Sequence, residues 1–174
     1  MSLLPQITTV LDQAGIPHAF IGATALTVYG VNRSTLDLDL FATSPVCLDP
    51  DLWASLPSSV EVDIRRGDLT DPLAGVVRFR TPGSQPIDLV VGKLIWQREV
   101  IERATPAVNG PPVVQLPDLI LLKLYAGGPQ DAWDIQQLLE RPDRAGILRE
   151  VEENLPKLPA HSGKLWQKIL QFLA

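Results

Sequence analysis

Cysteine and histidine are scarce in this chain, which has one cysteine and two histidines among its 174 residues. A single thiol excludes an internal disulfide and any zinc site built from two or more cysteines. Two histidines, His18 and His161, cannot form a histidine-rich metal site. We therefore expect Cys47 and both histidines to be structural, and the sequence argues against transition-metal, haem and iron–sulfur chemistry.

Long apolar runs are also missing from the sequence. No stretch approaches the roughly 18 to 20 consecutive apolar residues that span a bilayer. The first six residues lack the positively charged region that begins a signal peptide. These two absences predict a cytoplasmic protein that is not embedded in a membrane.

The chain has no excess of positive charge, because 15 basic residues face 20 acidic ones and give a net charge of −5. A chain with this balance does not bind nucleic acid through its overall charge, so a polyanionic substrate must meet a local basic patch. Apolar residues make up 45% of the chain, which is enough for one core at this length.

The spacing of apolar residues predicts mainly strands in the first two thirds and helices in the last third, which is typical of an α+β fold. We expect a mixed or antiparallel sheet flanked by helices in a single domain, 1–174, with a core over 1–116 and a helical part over 117–174. Residues 42–60 predict a loop with at most a short helix. The predicted strands are 18–21, 35–41, 60–65, 75–80, 86–91 and 113–116. The predicted helices are 3–14, 23–29, 93–104, 118–126, 131–140, 144–154 and 162–173.

Two aspartates alternate with leucines in the strand 35–41, so Asp37 and Asp39 point to the same face of the sheet. Carboxylates at this spacing suit Mg²⁺, which accepts one or two of them and completes its shell with water and phosphate oxygens. A third carboxylate on a neighbouring strand would allow two metal ions, and Asp88 is our choice, with Asp63 as the competing candidate. The plainer interpretation is the solvated face of a half-covered sheet, although aspartate is uncommon in strands.

A glycine turn precedes this acidic strand. Gly22 ends a predicted strand, and the helix start at Ala23 and Thr24 offers backbone N–H groups to a phosphate. Taken alone, the glycine favours a plain turn. Arg33 leads into the acidic strand, where it could bind phosphate or pair with the aspartates.

Taken together, these motifs resemble the nucleotidyltransferases of the DNA polymerase beta superfamily. The resemblance implies that Asp37, Asp39 and Asp88 hold two Mg²⁺ ions and that Gly22 binds the phosphates of an NTP.

The segment 117–135 is similar to the AbiEii-type bacterial branch of that superfamily, which includes toxins of toxin–antitoxin pairs. This likeness implies that Lys123 lies beside the triphosphate and that Asp131 and Asp134 lie near the site. The ordinary alternatives are a solvated lysine and two acids that cap their helix. Two positions depart from the family pattern: Ala23 replaces the usual Gly or Ser, and Gly128 replaces an arginine of the toxin-like relatives.

The resulting hypothesis is a magnesium-dependent enzyme that transfers a nucleoside monophosphate from an NTP to a hydroxyl acceptor, which could be RNA, a protein or a small molecule. A cognate antitoxin is a possible partner. The alternative, suggested by Ala23 and Gly128, is an inactive protein of this fold that binds a nucleotide or a partner. Phosphatases and glycosyltransferases that use Asp-x-Asp motifs fit less well, because the flanking residues and the chain length differ from theirs.

Overall fold

The fold is described from a computed structural model, and the described residues are 2–32, 37–108 and 110–173. The five strands are β1 (His18–Phe20), β2 (Leu38–Ala42), β3 (Glu61–Arg66), β4 (Gly75–Arg80) and β5 (Ile87–Val91). The α-helices are α1 (Leu3–Gln13), α2 (Gly22–Val28), α3 (Ile95–Glu102), α4 (Leu116–Ala126), α5 (Pro129–Leu139), α6 (Arg144–Asn154) and α7 (Ala160–Leu173). The predicted α+β class is confirmed.

The strands form one mixed sheet in the order β1-β2-β5-β4-β3. β3, β4 and β5 form the antiparallel meander that the turn residues between them predict. β2 pairs with β5 in parallel and with β1 antiparallel. The strand that carries Asp39 therefore lies directly beside the strand that carries Asp88.

Alternation along the strands gives the sheet one covered face and one partly open face. In β4, Gly75, Val77 and Phe79 are buried, whereas the three residues between and after them are only half-buried. On the covered face the ring of Trp53 packs edge-on against Phe79, with 4.7 Å between the ring centroids. Such alternation is expected where one face of a sheet is packed and the other is reached by polar groups.

Two parts of the chain differ from the sequence prediction. The segment 42–60 contains two short 3-10 helices, Pro45–Leu48 and Pro50–Trp53, each beginning at a proline. Cys47, Leu48 and Trp53 are buried in these two helices. The burial of these side chains stabilises the helical turns, although the composition of the segment favours a loop. The predicted strand 113–116 is wrong, since only Val113 forms isolated bridges and α4 already begins at Leu116.

Within its described residues the chain divides into two compact units. Unit 1 spans Met1–Thr24 and Ser34–Val114 and contains the whole sheet, and unit 2 spans Ala25–Arg33 and Gln115–Ala174 and contains α4 to α7. In unit 2 the buried side chains Leu119, Ile120, Leu138 and Trp166 form part of the packing among the helices. The expectation of a single domain stays a prediction.

None of the helices in the described part of the chain combines the length and the apolar character that a membrane crossing requires.

Candidate functional site

A row of four charged side chains crosses the open face of the sheet in unit 1. Asp39 of β2 is the register partner of Asp88 of β5, Asp88 is the partner of Arg78 of β4, and Arg78 is the partner of Asp63 of β3. Register partners on neighbouring strands point to the same face. Asp37 lies two residues before Asp39, at the same end of the sheet.

Arg78 joins two of the predicted site residues. Its Nε donates a hydrogen bond to Oδ1 of Asp88 at 2.7 Å, and its Nη2 donates to Oδ2 of Asp37 at 2.8 Å. The hydrogen bond to Asp88 is the main reason why the pKa of Arg78 is raised above its ordinary value, and the charges of Asp88, Asp37 and Asp39 add to it. The guanidinium therefore remains protonated beside these carboxylates.

Gly22 brings the turn after β1 against the Asp39 carboxylate. Its φ of 56° lies in the left-handed region, which glycine adopts without strain. A Cβ placed on Gly22 would lie 2.7 Å from Cγ of Asp39 and would overlap the carboxylate itself. The backbone N–H of Ile21 also donates to the carbonyl of Asp39 at 3.0 Å, so the turn and β2 are held together.

The two candidates for the third carboxylate lie in different places. Asp88 is adjacent to Asp39, whereas Asp63 lies on the edge strand, two strands further along the sheet. Asp63 forms an ion pair with the exposed Arg65, with 3.1 Å between Oδ2 and Nε. The geometry therefore brings Asp88, and not Asp63, together with Asp37 and Asp39.

Arg78 is a site residue that the sequence pattern does not predict. The motif Gly75-Val76-Val77-Arg78-Phe79-Arg80 alternates, so it places Arg78 and Arg80 on the face opposite Val77 and Phe79. What it does not give is the register between β4 and β5, and this register sets Arg78 opposite Asp88. Only the paired strands show which of the two arginines meets the acids.

Of the remaining residues predicted to bind the nucleotide, Ala23 and Thr24 lie within the described part of the chain and Arg33 does not. Ala23 and Thr24 follow Gly22 in the first turn of α2, with Ala23 buried and Thr24 half-buried. Arg33 and the predicted strand start at 35–36 lie outside the described residues, so the role predicted for Arg33 stays a prediction.

The donor chemistry of the site suits Mg²⁺, because Asp37, Asp39 and Asp88 supply carboxylate oxygens on one open face. In the described arrangement, however, no three Asp, Glu, His or Cys side chains converge closely enough to hold a metal ion. The guanidinium of Arg78 lies between Asp37 and Asp88 instead. The three aspartates therefore have the ligand chemistry that Mg²⁺ requires, but in this structure Asp37 and Asp88 pair with Arg78.

Unit 2 contains a second cluster of charges, around Lys123. Its side chain is buried, and Nζ lies 2.6 Å from Oδ2 of Asp134 and 3.1 Å from Oδ1 of Asp131. Asp131 also accepts a hydrogen bond from the backbone N–H of Gly128, so it caps α5, and Gln130 donates to Asp134. The alternative of a solvated lysine is wrong, and the predicted contact of Lys123 with a triphosphate stays a prediction.

Cys47 and His18 have structural surroundings. Burial raises the pKa of the Cys47 thiol to about 11, which leaves it protonated and unreactive at neutral pH. His18 is buried in β1 with Nδ1 3.0 Å from the carbonyl oxygen of Ile16. His161 lies at the start of α7, with Nε2 3.2 Å from the carbonyl oxygen of Tyr125.

Solved structures with a similar fold include two that match over most of their length. A protein of H. pylori described as a nucleotidyltransferase has a TM-score of 0.50 and 20% sequence identity, covering 97% of this chain and 93% of its own. The antibiotic-resistance factor ANT(2'')-Ia, in its solution structure, has a TM-score of 0.55 and 13% identity, covering 89% of this chain and 90% of its own.

In sequence, no family model matches the chain, and no curated protein matches it significantly. The structural likeness extends over nearly the whole chain, and at these identities it establishes the fold. The chain has a nucleotidyltransferase-like α+β fold, with three aspartates gathered on the open face of its sheet.

Proposed function

We propose that the protein transfers a nucleoside monophosphate from an NTP to a hydroxyl acceptor and releases pyrophosphate, in a reaction that requires Mg²⁺. The observation that carries the proposal is the register of β2 and β5, which sets Asp39 beside Asp88 on the face that Asp37 also reaches. The similarity in fold to the H. pylori protein described as a nucleotidyltransferase supports it.

The proposed roles follow from the chemistry of phosphoryl transfer, in which positioning and neutralisation of charge dominate. Asp37 and Asp39 would hold Mg²⁺ together with the triphosphate, and Asp88 would contribute to the metal site and take the proton of the acceptor hydroxyl. Bound Mg²⁺ would neutralise the charge that develops on the phosphate oxygens. The oxygen of the acceptor forms the new bond to the α-phosphorus, and the bond to the departing pyrophosphate breaks.

The turn at Gly22 would admit the phosphates. The absence of a Cβ at this position keeps the backbone close to the Asp39 carboxylate, so a nucleotide bound there would meet both groups. Ala23 and Thr24 would offer backbone and hydroxyl groups. The resemblance also assigns phosphate contacts to Arg33 and Lys123, and Lys123 would have to exchange its ion pairs with Asp131 and Asp134 for them. These nucleotide contacts are proposals that rest on the sequence resemblance.

The test is incubation with Mg²⁺ and each α-labelled NTP, in the presence of bulk RNA, cell protein or small-molecule extract. We expect label in one acceptor fraction and stoichiometric pyrophosphate, and Asp39→Asn should reduce transfer by about 10³-fold or more, because a carboxylate needed for charge neutralisation is lost. The unfolding free energy of this variant should stay near that of the wild type or rise, since repulsion between carboxylates falls.

Asp63→Asn is the matched control for Asp39→Asn, because it removes the same charge from the same sheet face three strands away. It should retain transfer. Full activity of Asp39→Asn would refute the site assignment, and loss of activity in Asp63→Asn together with retention in Asp88→Asn would move the third carboxylate to Asp63.

A nucleotide-binding or partner-binding protein without turnover is the second candidate. Two observations favour it. Arg78 pairs with both Asp37 and Asp88, and no three acids in the described part of the chain converge on a point where a metal ion could bind. Such a protein would bind NTP in equilibrium dialysis but release no pyrophosphate with any acceptor.

The assignment to the AbiEii-like branch, with a toxin role and an antitoxin partner, rests on the sequence pattern around Lys123, Asp131 and Asp134. The same Asp39→Asn variant tests it in cells. A toxin would arrest growth when expressed, and the variant would not, whereas growth unaffected by the wild type would contradict the toxin assignment.

A further inference from the structure

The guanidinium of Arg78 is the cation that pairs with two of the three site carboxylates. Its two bonded nitrogens reach acids on different segments, Asp88 within β5 and Asp37 just before β2. Since β5 lies between β2 and β4 in the sheet, the side chain of Arg78 extends across β5 to reach Asp37. Charge-assisted hydrogen bonds of this length are among the stronger polar contacts in proteins.

The other arginines of this sheet face behave differently. Arg80, two residues further along β4, forms an ion pair at 3.1 Å with Glu61, its own register partner on β3. Arg78 also has an acid as its register partner on β3, Asp63, but Asp63 is bonded to Arg65. Arg78 is thus directed towards the site and not towards the edge of the sheet.

We propose that Arg78 is a gate on the metal site: its guanidinium occupies the space between Asp37 and Asp88 in the free protein and must move away before a divalent ion can bind there. The inference rests on the proposed function, because it takes these aspartates as metal ligands. A divalent ion alone has to displace the guanidinium. An NTP brings a triphosphate that offers the displaced guanidinium new acceptor oxygens.

The consequence is a coupling between metal and nucleotide. Metal binding is weak without NTP and strengthens with it, and the same factor applies to NTP binding in the presence of metal. Arg78 therefore acts as a positioning residue that delays assembly of the metal site until the substrate arrives.

The experiment is titration with Mn²⁺, followed by electron paramagnetic resonance of the free ion, on the full chain without nucleotide. We expect Arg78→Gln to bind Mn²⁺ about tenfold more tightly than the wild type, because a competing positive charge has been removed at contact distance. Arg78→Lys, which keeps the charge but offers a single ammonium that cannot bridge two acids, should lie between them. With α,β-methylene ATP present, the difference between wild type and Arg78→Gln should shrink.

Arg80→Gln is the matched control, since it removes the same charge from the same strand and face while leaving the site untouched. Its Mn²⁺ affinity should change by less than about twofold. Circular dichroism and thermal unfolding check that each variant is folded. If Arg78→Gln is unfolded, the Mn²⁺ affinity of Arg78→Lys is compared with that of the wild type instead.

The proposal is overturned if the folded Arg78 variants bind Mn²⁺ no more tightly than the wild type, which would leave Arg78 as a structural ion pair. It is equally overturned if Arg80→Gln gains as much as Arg78→Gln, since the effect would then be one of net charge. The double variant Arg78→Gln with Asp39→Asn separates this proposal from the proposed function. Retention of the tight Mn²⁺ site in that variant would show that Asp39 is not a metal ligand, whatever the behaviour of Arg78.

Discussion

At the scale of single residues, Gly22 is constrained in two independent ways. Its φ is 56°, and a Cβ there would overlap the carboxylate of Asp39. We expect Gly22→Ala to lower the free energy of unfolding by about 2 to 4 kcal/mol, because backbone strain and the displacement of Asp39 add together. Transfer activity should fall with it, since Asp39 would no longer face Asp88. Urea unfolding and the labelled-NTP assay measure the two effects.

Gly15 provides the control for this prediction. Its φ of 63° gives a similar strain, but no atom lies within 4 Å of a Cβ built on it. Gly15→Ala should therefore cost about 1 kcal/mol and leave transfer unchanged. If Gly22→Ala behaved like Gly15→Ala in both assays, the close approach of Gly22 to Asp39 would have no consequence for the site.

At the scale of elements, the sequence predicts each strand better than it predicts the pairing between strands. Alternation in β2, β4 and β5 reveals which side chains share a face within one strand, because the period of two is a local property. The parallel pairing of β2 with β5 joins residues about fifty positions apart, and no local pattern encodes it. The place of Arg78 depends on this pairing and on the register of β4 with β5. The sequence therefore predicts Asp37, Asp39 and Asp88 but not the arginine that pairs with Asp37 and Asp88.

The segments that were mispredicted have the same explanation. Val113 has the β-branched side chain of a strand, yet it forms only isolated bridges, with Phe20 and Thr105. The residues 42–60 contain three prolines and four serines, a composition typical of a loop. Trp53 is nevertheless buried there and donates from its indole N–H to the carbonyl of Cys47 at 2.9 Å. Long-range packing decides both cases, and it is invisible to local composition.

The connection between α4 and α5 depends on the buried cluster of Lys123, Asp131 and Asp134. Lys123→Met would leave the fully buried Asp134 without its cation, and we expect a loss of about 3 to 5 kcal/mol in the free energy of unfolding. Replacing Asp134 by Leu in the same chain should restore part of this loss, because an apolar pair avoids the cost of an isolated buried charge. Urea denaturation followed by circular dichroism measures both.

Lys164 on α7 is the matched control for this change, because it is an exposed lysine of the same unit. Lys164→Met should shift stability by less than about 0.5 kcal/mol. An equal effect of the two substitutions would mean that the Lys123 cluster contributes no more than a surface charge.

At the scale of the whole molecule, the connectivity of the two units bears on the prediction of a single domain. The chain leaves unit 1 after Thr24, contributes a short segment to unit 2, and returns to unit 1 before it enters unit 2 again at Gln115. Each end of that short segment continues into unit 1. We therefore expect the two units to unfold in one cooperative transition, as small single domains do.

The four tryptophans allow this to be measured, because Trp53 and Trp96 belong to unit 1 while Trp133 and Trp166 belong to unit 2. Two variants, one keeping only Trp53 and the other only Trp166, report each unit by fluorescence from a buried indole. Adding Lys123→Met to each should move both urea midpoints to lower concentration by the same amount, since a cooperative domain shares the loss. A shift at Trp166 with an unchanged midpoint at Trp53 would contradict the single domain and would show that the sheet, with its three aspartates and Arg78, is stable independently of the helices that follow it.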